Sequence, residues 1–274
     1  MAAASFPVLF LFGAFIGVAG SALGIGGGIF LVPFLVLALK LPIHQAVAAS
    51  LVAITATSSA VAAVNVERGL ANIRLGIALE VTTALGSIAG ALVAGRLPAG
   101  TVRFLFALML FPVAALMLQK GLRGRARERA AAPAAGTAFD SGFFDPALGE
   151  HTPYSVRNVG PASFVSFFAG SLSGLLVIGG GVVQVPVMNM LCGVPMKAAA
   201  ATSNFIIGVS AAASALVYFR AGLVPLETTG IIVSGVLAGS FAGIYALYKV
   251  RAEKLQVAFS VFIVFVAVKM LAGR

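Results

Sequence analysis

Gly26, Gly27 and Gly28 form one glycine triplet and Gly179, Gly180 and Gly181 a second, with a proline five residues beyond each, at Pro33 and Pro186. A glycine weakens a helix by about 1 kcal/mol relative to alanine, and proline removes a backbone donor. Each segment should therefore break a helix. A glycine-rich turn before a helix can cradle phosphate. Neither triplet is followed by Lys-Ser/Thr or sits in a βαβ pattern, so a nucleotide-binding loop does not fit. Two readings remain. A half-helix starting at Gly28 or Gly181 could present its N–H groups, carrying about half a positive charge, to an anion. Alternatively, the small residues serve close helix packing.

Hydroxyls and amides form the second set. Gln45–Ser59 reads QAVAASLVAITATSS and Ala198–Ala212 reads AAAATSNFIIGVSAA. Laid over one another, Ser50 meets Ser203 and Thr57 meets Ser210, while Thr202 and Asn204 add polar groups to the second copy. Neutral donors of this kind suit sulfonate or sulfate oxygens. The competing role is bonding to their own helix carbonyls or to neighbouring helices. Gln184 stands where the first copy has Leu31, and Asn189 where it has Val36, so the second copy is expected to supply more polar contacts. Ionisable groups within apolar spans are functional candidates by default. Glu80 is one, as a proton carrier, a partner of Arg74 or an interfacial group. His44 and Lys197, each two residues after a proline, are candidates for attracting an anion at a cavity mouth. Lys269 is expected to snorkel to the interface.

No enzyme signature accompanies these residues. The two histidines, His44 and His151, are far apart, Cys192 is the sole cysteine, and no metal site or cofactor is expected.

The elements that must position these groups are membrane helices. With 60% hydrophobic and 9% charged residues, the chain cannot cover a water-facing surface, since soluble domains average roughly a quarter charged. Apolar blocks run from 7 to 23, 29 to 39, 46 to 66, 73 to 95 and 102 to 118, then from 159 to 178, 181 to 192, 198 to 219, 226 to 248 and 255 to 271. Several approach the roughly 20 residues needed to span a bilayer. No basic n-region precedes the first block, so it is not read as a cleaved signal. The net charge of +10 lies in short loops, where it sets topology, and no nucleic-acid partner is expected.

The two series superpose at one offset, 179 − 26 = 153, without a gap from Gly17/Gly170 to Leu118/Leu271, and prolines and glycines coincide along the way. This implies an internal duplication. The expected fold is an all-α polytopic membrane protein of two homologous repeats, each a broken-helix or hairpin unit plus three transmembrane helices. Residues 1–119 form the first repeat, 120–158 a cytoplasmic linker and 159–274 the second repeat. If each glycine unit is a hairpin returning to its starting side, the repeats are inverted; if it makes one net crossing, they are parallel. Inverted repeats place twelve Lys and Arg inside: five in the linker (Lys120, Arg123, Arg125, Arg127, Arg129) with Arg68, Arg74, Arg157, Lys197, Lys249, Arg251 and Lys254. The parallel arrangement keeps ten inside, the linker five with Arg68, Arg74, Arg157, Arg220 and Arg274. The inverted arrangement is favoured on this count. The linker, rich in Ala, Gly and Pro, reads as a flexible connector; FDSGFFDPALGE within it, with its three phenylalanines, reads as a mobile loop or as a segment lying on the membrane surface or on the protein.

These motifs carry a resemblance. Gly13, Gly17 and the run GSALGIGGGIFLVP, followed by the second copy GGGVVQVP and ATSN, resemble the TauE/SafE family of sulfite and organosulfonate exporters. The resemblance covers both repeats. One departure is Ala49-Ser50, where the family often has Thr-Ser; Thr202-Ser203 keeps the pair. The resemblance implies an anion permease, multi-pass in a bacterial inner membrane, exporting sulfite, sulfoacetate or related sulfonates. Its expected partners are a small anion and membrane lipid; a homodimer stays open.

Overall fold

The computed structural model describes residues 6–23, 27–123, 136–145, 150–177, 180–246 and 252–272. They form ten helices and one two-stranded hairpin. In the first half α1 is Phe6–Leu23, α2 Gly28–Leu37, α3 Ile43–Glu67, α4 Ile73–Arg96 and α5 Ala99–Arg123. Strands β1 (Ser141–Asp145) and β2 (Glu150–Tyr154) follow, and then α6 Val159–Leu176, α7 Gly181–Pro186, a π-helical turn Val187–Leu191, α8 Met196–Arg220, α9 Leu226–Ala246 and α10 Ala252–Ala272. Among the described residues, six helices are long and apolar enough to cross a membrane: α3, α4, α5, α6, α8 and α9. Their outer faces carry exposed Ile77, Val81, Leu85, Phe164, Phe168 and Leu216, while Ser50, Thr83, Ser87, Ser166, Ser203 and Ser214 are buried. Apolar outside and polar inside is the arrangement a lipid solvent imposes.

The duplication is visible in the backbone. Phe6 and Val159, Gly28 and Gly181, Ile43 and Met196, Ile73 and Leu226, Ala99 and Ala252 begin matching helices, 153 residues apart in every pair. Positive φ recurs at the same offset, at Gly69 and Gly222 and at Lys40 and Gly193. Pro42 and Pro195 stand just before α3 and α8 with φ −54° and −55°, where a missing N–H is harmless.

The halves exchange partners: α1 packs on α9, α6 on α4, α3 on α8 and α5 on α10. The α4–α6 and α1–α9 contacts are built on glycine. A Cβ on Gly170 or Gly174 of α6 would strike the carbonyl oxygens of Thr83 and Ser87, and one on Gly86 or Gly90 of α4 those of Phe167 and Ser171. Likewise Gly17 abuts Val236, Gly235 abuts Phe10 and Gly239 abuts Ala14. Small residues at such spacing let backbones touch, and in lipid dispersion and weak polar contacts hold helices together.

The same contacts give direction. Residue numbers rise together along α4 and α6 and along α1 and α9. They also rise together along α4 and α8, from Asn72 at Thr202 to Ser87 at Ser210. Along α3 and α4 they run oppositely, since His44 reaches the Ala94 carbonyl. The matched helices α3 and α8 therefore run in opposite directions.

Each glycine unit folds back on itself. In the second, the Arg157 N–H before α6 donates to the Cys192 carbonyl after the π turn (3.2 Å), and Asn158 donates to Leu191. In the first, Phe12 of α1 stacks on Phe34 of α2 with ring centroids 3.4 Å apart, and Gly27 meets Ile16.

The phenylalanine-bearing segment of the linker lies on the protein. Its described part is no mobile loop: β1 and β2 pair antiparallel, Ser141 with Tyr154 through Asp145 with Glu150. Phe143, Tyr154 and Val156 are buried against Leu75, Leu79, Met188, Cys192 and Val194. Asn72 and Arg74 bond the carbonyls of Phe139 and Ala138.

Candidate functional site

The two helix breaks meet. Gly28 opens α2 after Gly27, whose φ of +78° favours glycine. A Cβ at Gly28 would lie 2.8 Å from the carbonyl oxygen of Val177, just past the end of α6, and against the Ile54 side chain of α3. Val177 itself has φ +56°, a strained conformation for a β-branched residue. Gly180 and Gly181 are buried at the start of α7. Pro186 ends its α-helical part, and the chain continues as a π turn, a deviation frequent at functional sites. Gly26 and Gly179 lie outside the described residues.

Helix α3 frames the meeting point. Ser50, Ile54 and Ser58, four residues apart, share a face. Ile54 touches Gly28, so the two serines flank that contact along the helix. Both hydroxyls are buried and have no hydrogen-bond partner. A buried hydroxyl left so is costly. Thr57, by contrast, donates to the Ala53 carbonyl at 3.0 Å.

The second repeat uses its polar groups to tie the break to its neighbours. The Gln184 amide N–H donates to Thr83 Oγ1 at 2.8 Å, and its carbonyl oxygen accepts from Ser166 at 3.1 Å, which joins α7, α4 and α6. Thr202 donates to the Ala198 carbonyl and accepts from the Asn72 N–H at 2.9 Å. Ser203 and Asn204 donate to the Ala200 carbonyl. Asn189 donates to Val194 and closes the loop after the π turn.

His44 and Lys197 match in the repeat but stand at opposite ends of the protein, because α3 and α8 run oppositely. Between the C-terminal ends of α4 and α8 lies an open cavity of about 550 Å³ lined by Arg96, Arg220, Tyr218, Leu92, Val217 and Leu223. It lies at the end remote from the hairpin, and its two guanidinium groups can draw anions. Glu80 is buried in α4, away from both ends.

Four polar residues of this region, Ser58, Thr83, Ser87 and Ser166, were not singled out by sequence. Thr83 and Ser87 fall three and seven residues after Glu80, one helical stripe, and that spacing could have revealed them.

The family model described as "Sulfite exporter TauE/SafE" matches residues 9–270. A "Probable membrane transporter protein YunE" of Bacillus subtilis (strain 168) is 26% identical over 275 residues, covering 97% of both chains. No solved structure matches the chain. A match spanning both repeats, both glycine breaks and the helices that frame them places this chain in the TauE/SafE sulfite exporter family of membrane transporters.

Proposed function

We propose that this protein is a secondary carrier of bacterial inner membranes that exports small sulfur-containing anions, sulfite, sulfoacetate or related sulfonates, by alternating access, without chemically changing them. One observation carries the reading: the breaks of the two repeats adjoin at Gly28 and Val177, beside two buried, unpartnered serine hydroxyls. Discontinuous helices meeting between repeats are the arrangement in which transporters hold a substrate. The start of α2 offers N–H groups and positive partial charge, and Ser50 and Ser58 offer neutral donors, so an anion can be held without a buried countercharge. Ser203 is the matching hydroxyl of the second repeat, while Gln184 and Thr202 hold the α7 and α8 side of the site in place. The opposed run of α3 and α8 supports inverted repeats, whose rocking would open the centre to one side and then the other. The arginine-lined cavity is then the vestibule on the side away from the linker.

Purified full-length protein in proteoliposomes tests this. Radiolabelled sulfite or sulfoacetate should enter saturably, and unlabelled anion on the far side should accelerate the exchange. A panel of sulfite, sulfoacetate, isethionate and sulfate without saturable uptake would overturn the reading. Large single-channel currents without counterflow would replace it with a passive pore.

A further inference from the structure

Glu80 is the one acidic side chain buried among the described membrane helices. It is 7% exposed, and both carboxylate oxygens lack a hydrogen-bond partner. The pairing with Arg74 open to sequence is not made: Arg74 reaches the Ala138 carbonyl at the linker hairpin. Along α4, Glu80 stands between Gly76, packed on Thr202 and Phe205, and Thr83, bonded to Gln184.

The elements packed on α4 leave this carboxyl without a charged partner. Helix α6 and α7 carry no titratable side chain. On α8 the titratable groups are Lys197 at its start and Tyr218 and Arg220 at its end. The register set by Gly76 opposite Phe205 and Ser87 opposite Ser210 brings Ile206 and Ile207 to the level of Glu80. On α3, His44 and Glu67 stand at the two ends. The Cys192 thiol and the Tyr154 phenol share the buried cluster of Leu75 and Leu79, and neither bears a positive charge.

We propose that Glu80 carries a proton coupled to the anion, so that the two cross together in the same direction. The proposal rests on the carrier reading and names its coupling ion. An ionised carboxylate without donor or cation is unfavourable inside a membrane, so Glu80 changes charge when the alternating cavity brings water to it. An anion at the neighbouring break strengthens that preference, because two negative charges repel strongly in a medium of low dielectric. Anion binding and protonation of Glu80 thus favour one another, and linkage makes the effect reciprocal. In each cycle the carboxylate takes one proton from water on the loading side and returns it to water on the release side. The uncharged carboxyl and the anion together move less net charge through the bilayer than two anions would. Thr83, one turn away and bonded to Gln184, links the state of α4 to the second break.

The test uses the full chain in proteoliposomes loaded with a pH-sensitive dye, and radiolabelled sulfoacetate. With wild-type protein, a sulfoacetate gradient should move protons in the direction of the anion, and an imposed pH gradient should drive sulfoacetate accumulation. In Glu80→Gln, both should fall by about tenfold or more, a typical span for a coupling between two sites, while labelled still exchanges for unlabelled sulfoacetate. Glu80→Asp, which keeps the carboxyl, should retain coupled accumulation, and Glu67→Gln, at the exposed end of α3, should match wild type. Gel filtration and circular dichroism of each variant report folding. Proton-driven accumulation by Glu80→Gln equal to wild type, or sulfoacetate exchange in wild type without proton movement, overturns the coupling and leaves the carrier standing. No saturable exchange by wild type defeats the carrier reading itself.

Discussion

Ser50 and Ser203 occupy matching places on α3 and α8, yet their hydroxyls are used differently. Ser203 donates to the Ala200 carbonyl, whereas Ser50 has no partner. Truncating a hydroxyl that bonds nothing leaves no orphan behind, so Ser50→Ala should change thermal stability little. If Ser50 contacts the anion, KM should rise by roughly three- to tenfold, the worth of one hydrogen bond. Detergent-solubilised melting curves and saturable uptake, measured on the same preparation, check both halves. Gln184→Leu should behave otherwise. It takes away the acceptor of Ser166 and one donor to Thr83, whose own hydroxyl still donates to the Leu79 carbonyl, and the loss of about 1–3 kcal/mol for a buried unsatisfied group should lower the melting temperature together with flux. Sequence alone identified Ser50, Gln184 and Thr202 as polar groups in apolar surroundings. It could not separate the one whose hydroxyl is unpartnered from those already bonded, because the partners, Thr83, Ser166 and the Asn72 N–H, lie more than fifteen residues away along the chain.

At the scale of elements, the triplet glycines and the paired glycines do different work. Gly86, Gly90, Gly170 and Gly174 bring two backbones into contact between α4 and α6. Gly170→Leu should force the pair apart at a cost on the order of 3 kcal/mol, in the range of overpacked cores, and reduce the yield of folded protein on gel filtration. Gly160→Ala, ten residues earlier on α6 with open space around it, should be silent. The linker hairpin shows the limit of reading elements from sequence. Its ten strand residues carry no long apolar period, and its anchors are Phe143 and Tyr154, which bury against residues of α4, the π turn and α8 that no local pattern names. Asp140 holds the hairpin base, accepting from the Thr137 hydroxyl and N–H and from the Val156 N–H. These bonds pull its carboxyl below the ordinary range. A group whose folded value is depressed contributes stability above its unfolded value, near pH 4, and loses it as pH falls through the folded one. Protection of residues 141–145 and 150–154 against hydrogen exchange, corrected for the intrinsic exchange rate, should therefore fall as pH drops below about 4, and Asp140→Asn should show the lower protection already at neutral pH.

The duplication links the two smaller scales to the molecule. A single offset of 153 residues predicted from glycine and proline positions recurs in every helix start and in two positive-φ sites, so the helical architecture was legible from end to end. Direction was weighed only through the Lys and Arg count, which favoured inverted repeats, since hydropathy is blind to which way a helix runs; the packing of Thr202 on Asn72 and of His44 on Ala94 supports the same choice. Orientation in the membrane then follows from charge. With the basic linker inside, the start of α9 faces outside if the repeats are inverted and inside if they are parallel. Gly100, Gly136, Gly160 and Gly230 are among the glycines with open space where a Cβ would stand, so each accepts a cysteine without disturbing packing. In a Cys192→Ala background, Gly136→Cys and Gly160→Cys should react with a membrane-impermeant maleimide only after cells are opened, and Gly100→Cys in intact cells. These three label alike under either arrangement and serve as controls. Gly230→Cys decides: labelling in intact cells fits inverted repeats and a site between two opposed breaks, whereas protection until lysis would require parallel repeats and dismantle the rocking mechanism.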